Sequence, residues 1–516
     1  MLCITGNENN FESLSSRISR FSHALLQEIR LDYQENPFTA LDELLKNCSP
    51  EVTRRWIVTC RPVRQGGFFE GPENERISLL KKALRGNVGF VDIEWRADNP
   101  HDNPQNNENH YKETPFSKKQ TGQKIILSHH VFTSDWKTEE IIRILEDMMS
   151  SSADILKIAL MVDDVAKFAE LKFLAERFQK KPLVLIPMGE AGVIGRVFYH
   201  FFKSPWTYVA AGKCGENRAT APGQVFSSDM ESLGLYPNLE KQPKNNLLVL
   251  LGGTQVVHSP GPRTYNRFFR SKEMPFVYLP APTRNLEKAV AALSPMGLVG
   301  AAVTMPHKDE AARLCGKLHG PARKLHSINT MVLRGGSWEG YSTDGYGVYC
   351  AISCHLKSFS KVKREKARVS VLGAGGAARA AALAMKDKEA EVTLFARRPE
   401  KAPCENLGLM VENWELRQKK AWDVLINATP IGSRSGEEAV SPFSFSGAEN
   451  LTGKVVLDMN YRPPRTALLK AAAQLGADSV TGLEMWVHQG IPQLELWTGA
   501  NVNSKVLQTF IPTGNF

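Results

Sequence analysis

Eight short apolar runs, separated by longer polar or amphipathic stretches, constrain the fold of this chain more than any other feature. Alternating strand-like and helix-like segments predict parallel strands joined by helices, and eight such units predict a closed α/β barrel of the (β/α)8 type. The carboxyl ends of the strands are then the expected place for chemistry. The runs are Leu2–Thr5, Gln27–Leu31, Trp56–Cys60, Gly89–Glu94, Lys124–Ser128, Ile155–Ala159, Leu183–Ile186 and Thr207–Ala210.

The sixth run carries a lysine inside an otherwise apolar segment. Lys157 lies in the stretch 154–160, whose other members are mostly aliphatic. Burial favours the neutral, nucleophilic form of an amine, and Schiff-base chemistry with a carbonyl substrate needs that form. A strand-end lysine whose ammonium group reaches water is the alternative interpretation.

Further polar residues fall on or just after the predicted strands. Each alone is equally explained as a structural ion pair or a hydrogen-bonded histidine. Together at one barrel mouth they predict a carbonyl-binding site with a base and anion clamps. They are Glu28 and Arg30 on the second strand, Arg61 after the third, His129 and His130 after the fifth, Arg196 after the seventh, and Thr220 and Gln224 after the eighth.

These segments resemble type I 3-dehydroquinate dehydratases, which are TIM barrels, over residues 1 to about 235. The resemblance implies that Lys157 forms an imine with the substrate ketone and that His130, rather than His129, transfers the protons. It also implies that Arg196 holds the substrate carboxylate and that Glu28, Arg30, Arg61, Thr220 and Gln224 contact the substrate. The matching motifs are Glu-Ile-Arg-Leu-Asp (28–32), Thr-Cys-Arg-Pro with Gly-Gly (59–67), Ser-His-His-Val-Phe (128–132), Leu-Lys-Ile-Ala (156–159), Gly-Arg (195–196) and Ala-Pro-Gly-Gln (221–224).

One residue departs from that pattern. Gln65 stands where many family members have an acidic residue before Gly-Gly. The change removes a charge near the site and would alter either the pKa of His130 or the hydrogen bonding of the substrate. We expect dehydratase activity to survive it.

A polar segment with Pro237 and Pro243 separates the two halves of the chain. It predicts a linker at 236–246 after a first domain at 1–235. Beyond the linker, Lys308 and Asp344 are a lysine and an aspartate that could share a proton network and deliver a proton to a ketone under reduction. For an arbitrary pair of this kind, a surface salt bridge is the default explanation.

The segment 369–379 has the sequence of a strand, a tight glycine turn and a helix. Gly373, Gly375 and Ala378 fit the dinucleotide fingerprint, in which the backbone approaches a pyrophosphate at a helix N-terminus. The next predicted strand ends before Arg397 and Arg398, where an NAD site usually has an acidic residue. The two arginines therefore favour NADP(H), although exposed arginines without a ligand are the alternative.

The chain resembles shikimate dehydrogenases from Leu247 to its end. The resemblance implies a substrate-binding domain at 247–348 plus 495–516 and a Rossmann domain at 349–494. It implies a catalytic pair of Lys308 and Asp344; substrate contacts by Ser259, Thr304, Asn329, Tyr461 and Gln489; and cofactor contacts by Gly373, Ala374, Gly375, Gly376, Ala377, Arg397, Arg398, Asn427, Thr429 and Gly432. The motifs are Gly-Gly-Thr-Gln-Val-Val-His-Ser (252–259), Val-Thr-Met-Pro-His-Lys (303–308), Ser-Ile-Asn-Thr (327–330), Ser-Thr-Asp-Gly (342–345), Ile-Asn-Ala-Thr-Pro-Ile-Gly (426–432), Asp-Met-Asn-Tyr (458–461) and Gly-Leu-Glu-Met with Gln-Gly (482–490).

Gly261 is a departure in this half. The family usually has Ser-x-Ser-Pro where this chain has Ser259-Pro260-Gly261-Pro262. The missing hydroxyl predicts weaker binding of shikimate, or tolerance of the additional hydroxyl of quinate.

The two halves make sense as one pathway segment, because the product of the first reaction, 3-dehydroshikimate, is the ketone that the second reduces to shikimate. The chain thus resembles bifunctional 3-dehydroquinate dehydratase/shikimate dehydrogenases. Two alternatives remain: a quinate/shikimate dehydrogenase with a vestigial dehydratase, and a non-catalytic sensor of quinate-pathway metabolites. A sensor is expected to lose reactive residues, whereas Lys157, His130, Lys308 and Asp344 are all present.

The composition indicates which kinds of partner and which cellular compartment to expect. The formal charge of +10 comes from dispersed Lys and Arg without a nucleic-acid-binding motif, so anionic small molecules are the expected partners rather than nucleic acid or membrane. The eight cysteines show no metal spacing, which predicts reduced thiols and no metal. We expect a cytoplasmic enzyme, or one in the plastid stroma if a transit peptide has been removed. The oligomeric state is left open.

Overall fold

The computed structural model describes residues 1–21, 26–95, 121–212, 219–232, 246–360, 366–433 and 438–511. Its first half is built on eight strands in the order β7-β6-β5-β4-β3-β2-β1-β8, which form a nearly closed parallel barrel. The strands are β1 Leu2–Thr5, β2 Leu26–Arg30, β3 Trp56–Thr59, β4 Phe90–Glu94, β5 Lys124–Val131, β6 Ile155–Met161, β7 Leu183–Met188 and β8 Thr207–Ala210.

Helices follow most of these strands and cover them on the outside. Apolar residues at helical spacing, such as Ile141, Leu145 and Met148 in the helix after β5, are fully buried because they face the sheet. The helices are α1 Phe11–Arg20, α2 Pro37–Asn47, α3 Pro50–Thr53, α4 Glu73–Arg85, α5 Thr138–Ser150, α6 Phe168–Arg177, α7 Val193–Val197 and α8 Ser227–Ser232.

All eight predicted strands are confirmed, and two of them have the predicted bounds. The main difference is β5, which continues to Val131. His129 and His130 were expected after this strand but lie within it, because both pair in register with residues of β6. The predicted strand was too short because the polar histidines were read as the end of the apolar run. The sequence also predicts a surface loop after β4 from the polar stretch 97–122, most of which lies outside the described residues.

The second half of the chain contains two further sheets. One has the order β9-β11-β13-β14-β12 among its strands, with parallel and antiparallel pairs. The other, β17-β16-β15-β18-β19-β20, is parallel throughout and has the doubly wound order of a Rossmann fold. The strands are β9 Asn246–Gly252, β10 Phe276–Pro282, β11 Leu298–Val303, β12 Lys317–Leu318, β13 Thr330–Arg334, β14 Ser337–Tyr341, β15 Arg368–Leu372, β16 Glu391–Ala396, β17 Met410–Asn413, β18 Val424–Asn427, β19 Val455–Asp458 and β20 Asp478–Val480.

Two long helices, α13 and α16, pack against each other in this half. Near the end of α16, Trp497 donates a hydrogen bond to the Met331 carbonyl of β13 at 3.0 Å, so the helix also packs on the first of the two sheets. The helices are α9 Gly261–Ser271, α10 Leu286–Leu293, α11 Lys308–Leu314, α12 Ala322–Leu325, α13 Asp344–Ser360, α14 Gly376–Lys386, α15 Ala467–Gln474, α16 Gly482–Thr498 and α17 Ser504–Thr509. Among the described helices, none has the length and apolarity required to span a membrane.

Contacts divide the chain into two compact units, residues 1–245 with 272–297 and residues 246–271 with 298–516. The segment 272–297 joins the first unit because α10 packs near α6 and Arg284 bonds Asp163 at 3.0 Å and Asp164 at 2.7 Å. The predicted domain boundaries assign that segment to the second half, so the contacts group it differently. The other predicted boundaries stay predictions.

Candidate active sites

Strand periodicity places the lysine and the histidine of the barrel on one face. In the register of β5 and β6, Ser128 pairs with Lys157 and His130 pairs with Ala159. Because side chains alternate along a strand, Ser128, His130, Lys157 and Ala159 all point the same way. Lys157 and His130 are therefore diagonal neighbours, and the same alternation aligns two further pairs, Glu28 with Arg30 on β2 and Asp92 with Glu94 on β4.

Lys157 is buried, with only 3% of its surface exposed. Its ammonium group donates a hydrogen bond to Asp92 Oδ2 at 2.7 Å and lies 3.7 Å from Glu28 Oε1. It also lies 4.2 Å from the centre of the Tyr208 ring. The alternative of a lysine reaching into water is therefore wrong: this amine is enclosed by two carboxylates and an aromatic ring.

Glu28 connects this amine with the cationic residues of the site. Burial opposes its ionisation, but Lys157, Arg30 and Arg61 outweigh burial and lower its pKa to about 2. Thr5 donates a hydrogen bond to Glu28 Oε2 at 2.6 Å. Glu28 is thus a fixed anion that balances the surrounding positive charge.

His130 is buried among positive groups. Burial, followed by the charges of Arg61, Lys157, His129 and Arg30, lowers its pKa well below the usual range for histidine. Among the described residues, its Nδ1 has no hydrogen-bond partner. A neutral imidazole of this kind is suited to accept a proton.

Arg196 is a buried cation without an acidic partner in the described part of the chain. Burial lowers its pKa to about 10. Its Nη2 donates to the Pro222 carbonyl at 3.1 Å, and its Nε has no hydrogen-bond partner among the described residues. Such a group needs an anion, and a planar guanidinium suits a carboxylate.

The same contact ties Arg196 to the turn that carries Thr220 and Gln224. Thr220 Oγ1 donates to Gln224 Oε1 at 2.9 Å. Gly223 has φ +66°, and a Cβ at this position would collide with the Gly189 carbonyl, so the turn requires glycine here. The predicted residues after β7 and β8 are thereby brought together.

Arg61 and Arg30 reach the site through different partners. Arg30 pairs with Asp32 through two hydrogen bonds of 2.8 and 2.6 Å, which orient its guanidinium. Arg61 lies 3.4 Å from Glu94 and 3.9 Å from Glu28. Asp92 and Tyr208, which contact Lys157, were missed by the sequence interpretation. Asp92 shares an alternating pattern with Glu94 on β4, but no sequence signal says which strand faces Lys157.

The second predicted site forms a hydrogen-bonded group around the helix starts of α11 and α13. Lys308 and Asp344 are the first residues of these helices, and their side chains form a close ion pair. Asn329 Nδ2 donates to Asp344 Oδ1 at 2.8 Å and to Gln489 Oε1 at 3.0 Å. Four of the predicted residues are therefore in direct contact, and with 14% of the Lys308 side chain exposed the pair is not a surface salt bridge.

Ser259 and Tyr461 form a second contact. Burial raises the pKa of Tyr461, and the hydrogen bond from Ser259 opposes that rise. Tyr265, missed by the sequence interpretation, connects both groups. Its hydroxyl donates to Gln493 Oε1 at 3.3 Å, and Gln493 Nε2 donates to the Asn329 carbonyl at 3.0 Å. It also interacts electrostatically with Tyr461. A Cβ at Gly490 would clash with the Tyr265 hydroxyl, so the Gln-Gly motif leaves room for this tyrosine. The predicted residue Thr304 lies beside Gly252, where a Cβ would come within 2.5 Å of Thr304 Cγ2, and the Thr304 N–H donates to the Leu251 carbonyl at 2.9 Å.

The glycine turn after β15 fits a dinucleotide. Gly373 has φ +106°, a conformation that favours glycine. Gly375 precedes α14 without a side-chain cap, and a Cβ there would meet only open space. The first N–H groups of α14, at Gly376 and Ala377, are thus available to a pyrophosphate, with Ala374 at the turn. Arg397 and Arg398 are exposed directly after β16.

The predicted residues after β18 form a turn beside this one. Asn427 is fully buried and donates to Asp458 Oδ1 at 3.0 Å and to the Ile431 carbonyl at 3.2 Å. Thr429 Oγ1 donates to Asn427 Oδ1 at 2.7 Å, and Gly432 has φ +86°. A Cβ at Gly373 would come within 3.2 Å of Thr429, so the two turns are adjacent. The hydrogen bonds of the buried Asn427 side chain thus stabilise the turn that contains Thr429 and Gly432.

Each half of the chain is similar to known proteins. The profile of type I 3-dehydroquinase matches residues 2–235, and that of the shikimate dehydrogenase substrate binding domain matches residues 251–331. A shikimate dehydrogenase (NADP(+)) of Methanothermobacter thermautotrophicus is 35% identical over 270 residues, covering 50% of this chain and 92% of that protein. A solved structure of dehydroquinate dehydratase and shikimate dehydrogenase from S. pombe is 22% identical, with a TM-score of 0.41 and coverage of 99% and 98% of the two chains.

One relative is similar in sequence to both halves at once. The bifunctional 3-dehydroquinate dehydratase/shikimate dehydrogenase, chloroplastic, of Arabidopsis thaliana is 30% identical over 491 residues. The alignment covers 92% of this chain and 77% of that protein. With a relative of this identity and coverage, the chain belongs to the family of bifunctional 3-dehydroquinate dehydratase/shikimate dehydrogenases.

Proposed function

We propose that the barrel dehydrates 3-dehydroquinate through a Schiff base on Lys157. The observation that carries the proposal is the enclosed amine of Lys157, with Asp92 at 2.7 Å and the neutral His130 on the same barrel face. Arg196 is the partner for the substrate carboxylate, since its buried charge has no acidic partner among the described residues. Glu28, Arg30 and Arg61 orient the ring hydroxyls, and Thr220 and Gln224 add hydrogen bonds to the substrate.

In this scheme the neutral Lys157 amine adds to the substrate ketone, and loss of water gives the imine. The protonated imine withdraws electrons, so His130 can remove a proton from the adjacent carbon. The resulting enamine expels the neighbouring hydroxyl, which leaves as water with the proton returned by His130. Hydrolysis of the conjugated imine frees Lys157 and releases 3-dehydroshikimate.

For the second unit we propose reduction of 3-dehydroshikimate to shikimate with NADPH. The cofactor supplies a hydride when bound; the glycine turn, Arg397 and Arg398 are the residues that would hold it. Lys308, held by Asp344, donates a proton to the ketone oxygen. Asn329 and Gln489 bind ring hydroxyls, and Ser259 and Tyr461 hold the carboxylate side of the ring.

The test is borohydride trapping with 3-dehydroquinate, followed by peptide mass spectrometry. We expect a covalent adduct on Lys157 in the native protein and none in Lys157→Ala. Because that change leaves carboxylates unpaired, His130→Ala is a second variant: it should still be trapped but turn over at least about 100-fold more slowly. Native protein that reduces 3-dehydroshikimate yet forms no adduct would overturn the dehydratase proposal.

The second unit is tested by Lys308→Ala. This variant should lose reduction of 3-dehydroshikimate while the dehydratase rate is retained, which also serves as the control for folding of the barrel. Reduction at the native rate would exclude Lys308 as the proton donor.

A further inference from the structure

Arg379 is a buried cation in the second unit that the scheme above leaves without a role. It lies on the first turn of α14, and 5% of its side chain is exposed. Its Nη1 donates to the Ala374 carbonyl at 3.2 Å, inside the glycine turn. One guanidinium group thus fixes the conformation of the turn that is proposed to receive the pyrophosphate.

The other end of the same guanidinium reaches α11. Arg379 Nη2 donates to Asp309 Oδ1 at 2.9 Å. Asp309 is the residue after Lys308, so it shares the first turn of the helix that begins with the proposed proton donor. Arg379 is therefore hydrogen-bonded to the dinucleotide turn and to the Lys308 helix at once.

Backbone packing makes these two elements close neighbours. A Cβ added to Gly376, the first residue of α14, would clash with the Ser327 hydroxyl and come within 3.4 Å of Lys308 Cδ. The Lys308 carbonyl accepts a hydrogen bond from the Ile328 N–H at 3.0 Å, next to the substrate residue Asn329. A displacement of the glycine turn would therefore change its packing against the aliphatic part of the Lys308 side chain.

We infer that Arg379 and Asp309 are positioning residues that couple dinucleotide binding to the placement of Lys308. When a dinucleotide fixes the glycine turn, the Arg379–Asp309 contact also fixes α11. Lys308 is then already in place, so the substrate binds with a smaller loss of conformational entropy. The reverse holds for substrate, because coupling between two ligands is reciprocal. The inference rests on the proposed function of this unit.

The experiment measures NADPH binding by fluorescence titration of the full-length protein, without and with saturating shikimate. Both ligands are in the reduced form, so the ternary complex does not react. We expect shikimate to tighten NADPH binding by roughly tenfold in the native protein, within the usual range for coupled sites.

Asp309→Asn keeps the shape of the side chain but removes its charge, and half of this side chain is exposed, so folding should be retained. We expect its NADPH affinity without shikimate to stay within about twofold, since Asp309 does not contact the glycine turn, and the coupling to fall below about threefold. Arg379→Lys should also reduce the coupling, because one ammonium group cannot replace the two-ended guanidinium. Its NADPH affinity should fall as well, because Arg379 contacts the Ala374 carbonyl of the glycine turn. In steady state, Asp309→Asn should lower kcat more than it raises KM for NADPH.

The matched control is Asp423→Asn, which removes the bidentate Arg368–Asp423 ion pair of the same unit. This variant should lose thermal stability and keep the full coupling. Full coupling in Asp309→Asn would overturn the inference, as would a native protein that binds both ligands without coupling. Weaker NADPH binding in Arg379→Lys with unchanged coupling would assign Arg379 to the phosphates instead. A native protein that binds neither ligand would refute the proposed function rather than this inference.

Discussion

Gln65 replaces a charge at the barrel mouth with an amide. Its side chain is buried, and its Oε1 has no hydrogen-bond partner among the described residues. It precedes Gly66, where a Cβ would come within 2.5 Å of the Phe132 ring, and that ring stacks on His130 with centroids 6.2 Å apart. The groups that lower the pKa of His130 include three cations, Arg61, Lys157 and Arg30.

Gln65→Glu should therefore raise the pKa of His130, since an anion favours the imidazolium. His130 acts as a base only when neutral, so the acid limb of the dehydratase kcat/KM profile should move to higher pH in the variant. The native enzyme should keep its activity to lower pH. Profiles of the two proteins from pH 4 to 9, on the order of the range where carboxylates and imidazoles titrate, measure the shift. Superimposable acid limbs would contradict the prediction.

Gly261 tests the specificity of the second site. It begins α9, and its N–H donates to Ser259 Oγ at 3.1 Å. Gly261→Ser supplies a second hydroxyl for the carboxylate side, so kcat/KM for shikimate should rise by about tenfold, the worth of one hydrogen bond to a charged group. Any quinate oxidation should fall, because the space for its additional hydroxyl is filled. A native enzyme without detectable quinate oxidation would remove the tolerance idea.

At the scale of elements, the sequence predicted the strands well because each is an apolar run bounded by polar segments. It also predicted that the polar side chains of the barrel come together, since parallel strands share a carboxyl edge. Partners across strands were not predictable: Asp92 meets Lys157 only through the register of three strands. Tyr265 was missed for the same reason, because its partner Gln493 lies far along the chain.

Helix α4 offers an element-scale prediction. Arg76 is fully buried there and donates to Glu94 Oε2 at 2.6 Å. Arg76→Met should lower the free energy of unfolding of the barrel by about 3–5 kcal/mol, because Glu94 loses its closest cation in a buried place. Lys82→Met on the same helix breaks an exposed pair with Asp42 and should cost less than about 1 kcal/mol. Urea unfolding of both variants makes the comparison; equal losses would contradict it.

At the scale of the whole molecule, the contacts form two compact units, each with its own proposed site. Calorimetry should therefore show transitions that respond separately to ligands, since a ligand stabilises only the unit it binds. NADPH with shikimate should raise the Tm of one transition, and the borohydride adduct with 3-dehydroquinate should raise that of the other. A single transition shifted equally by both treatments would show that the units unfold as one.

The contact between Lys157 and Asp92 bears on where the ammonium proton of Lys157 goes. A lysine must lose a proton before it attacks a ketone, and only 3% of the Lys157 surface is exposed to solvent. Asp92 Oδ2 lies 2.7 Å from the amine, while Asp92 Oδ1 has no partner among the described residues, so the carboxylate can accept that proton where it stands. We propose that the nucleophile forms by this internal transfer, which leaves the net charge of the pocket unchanged and does not require exchange with bulk solvent.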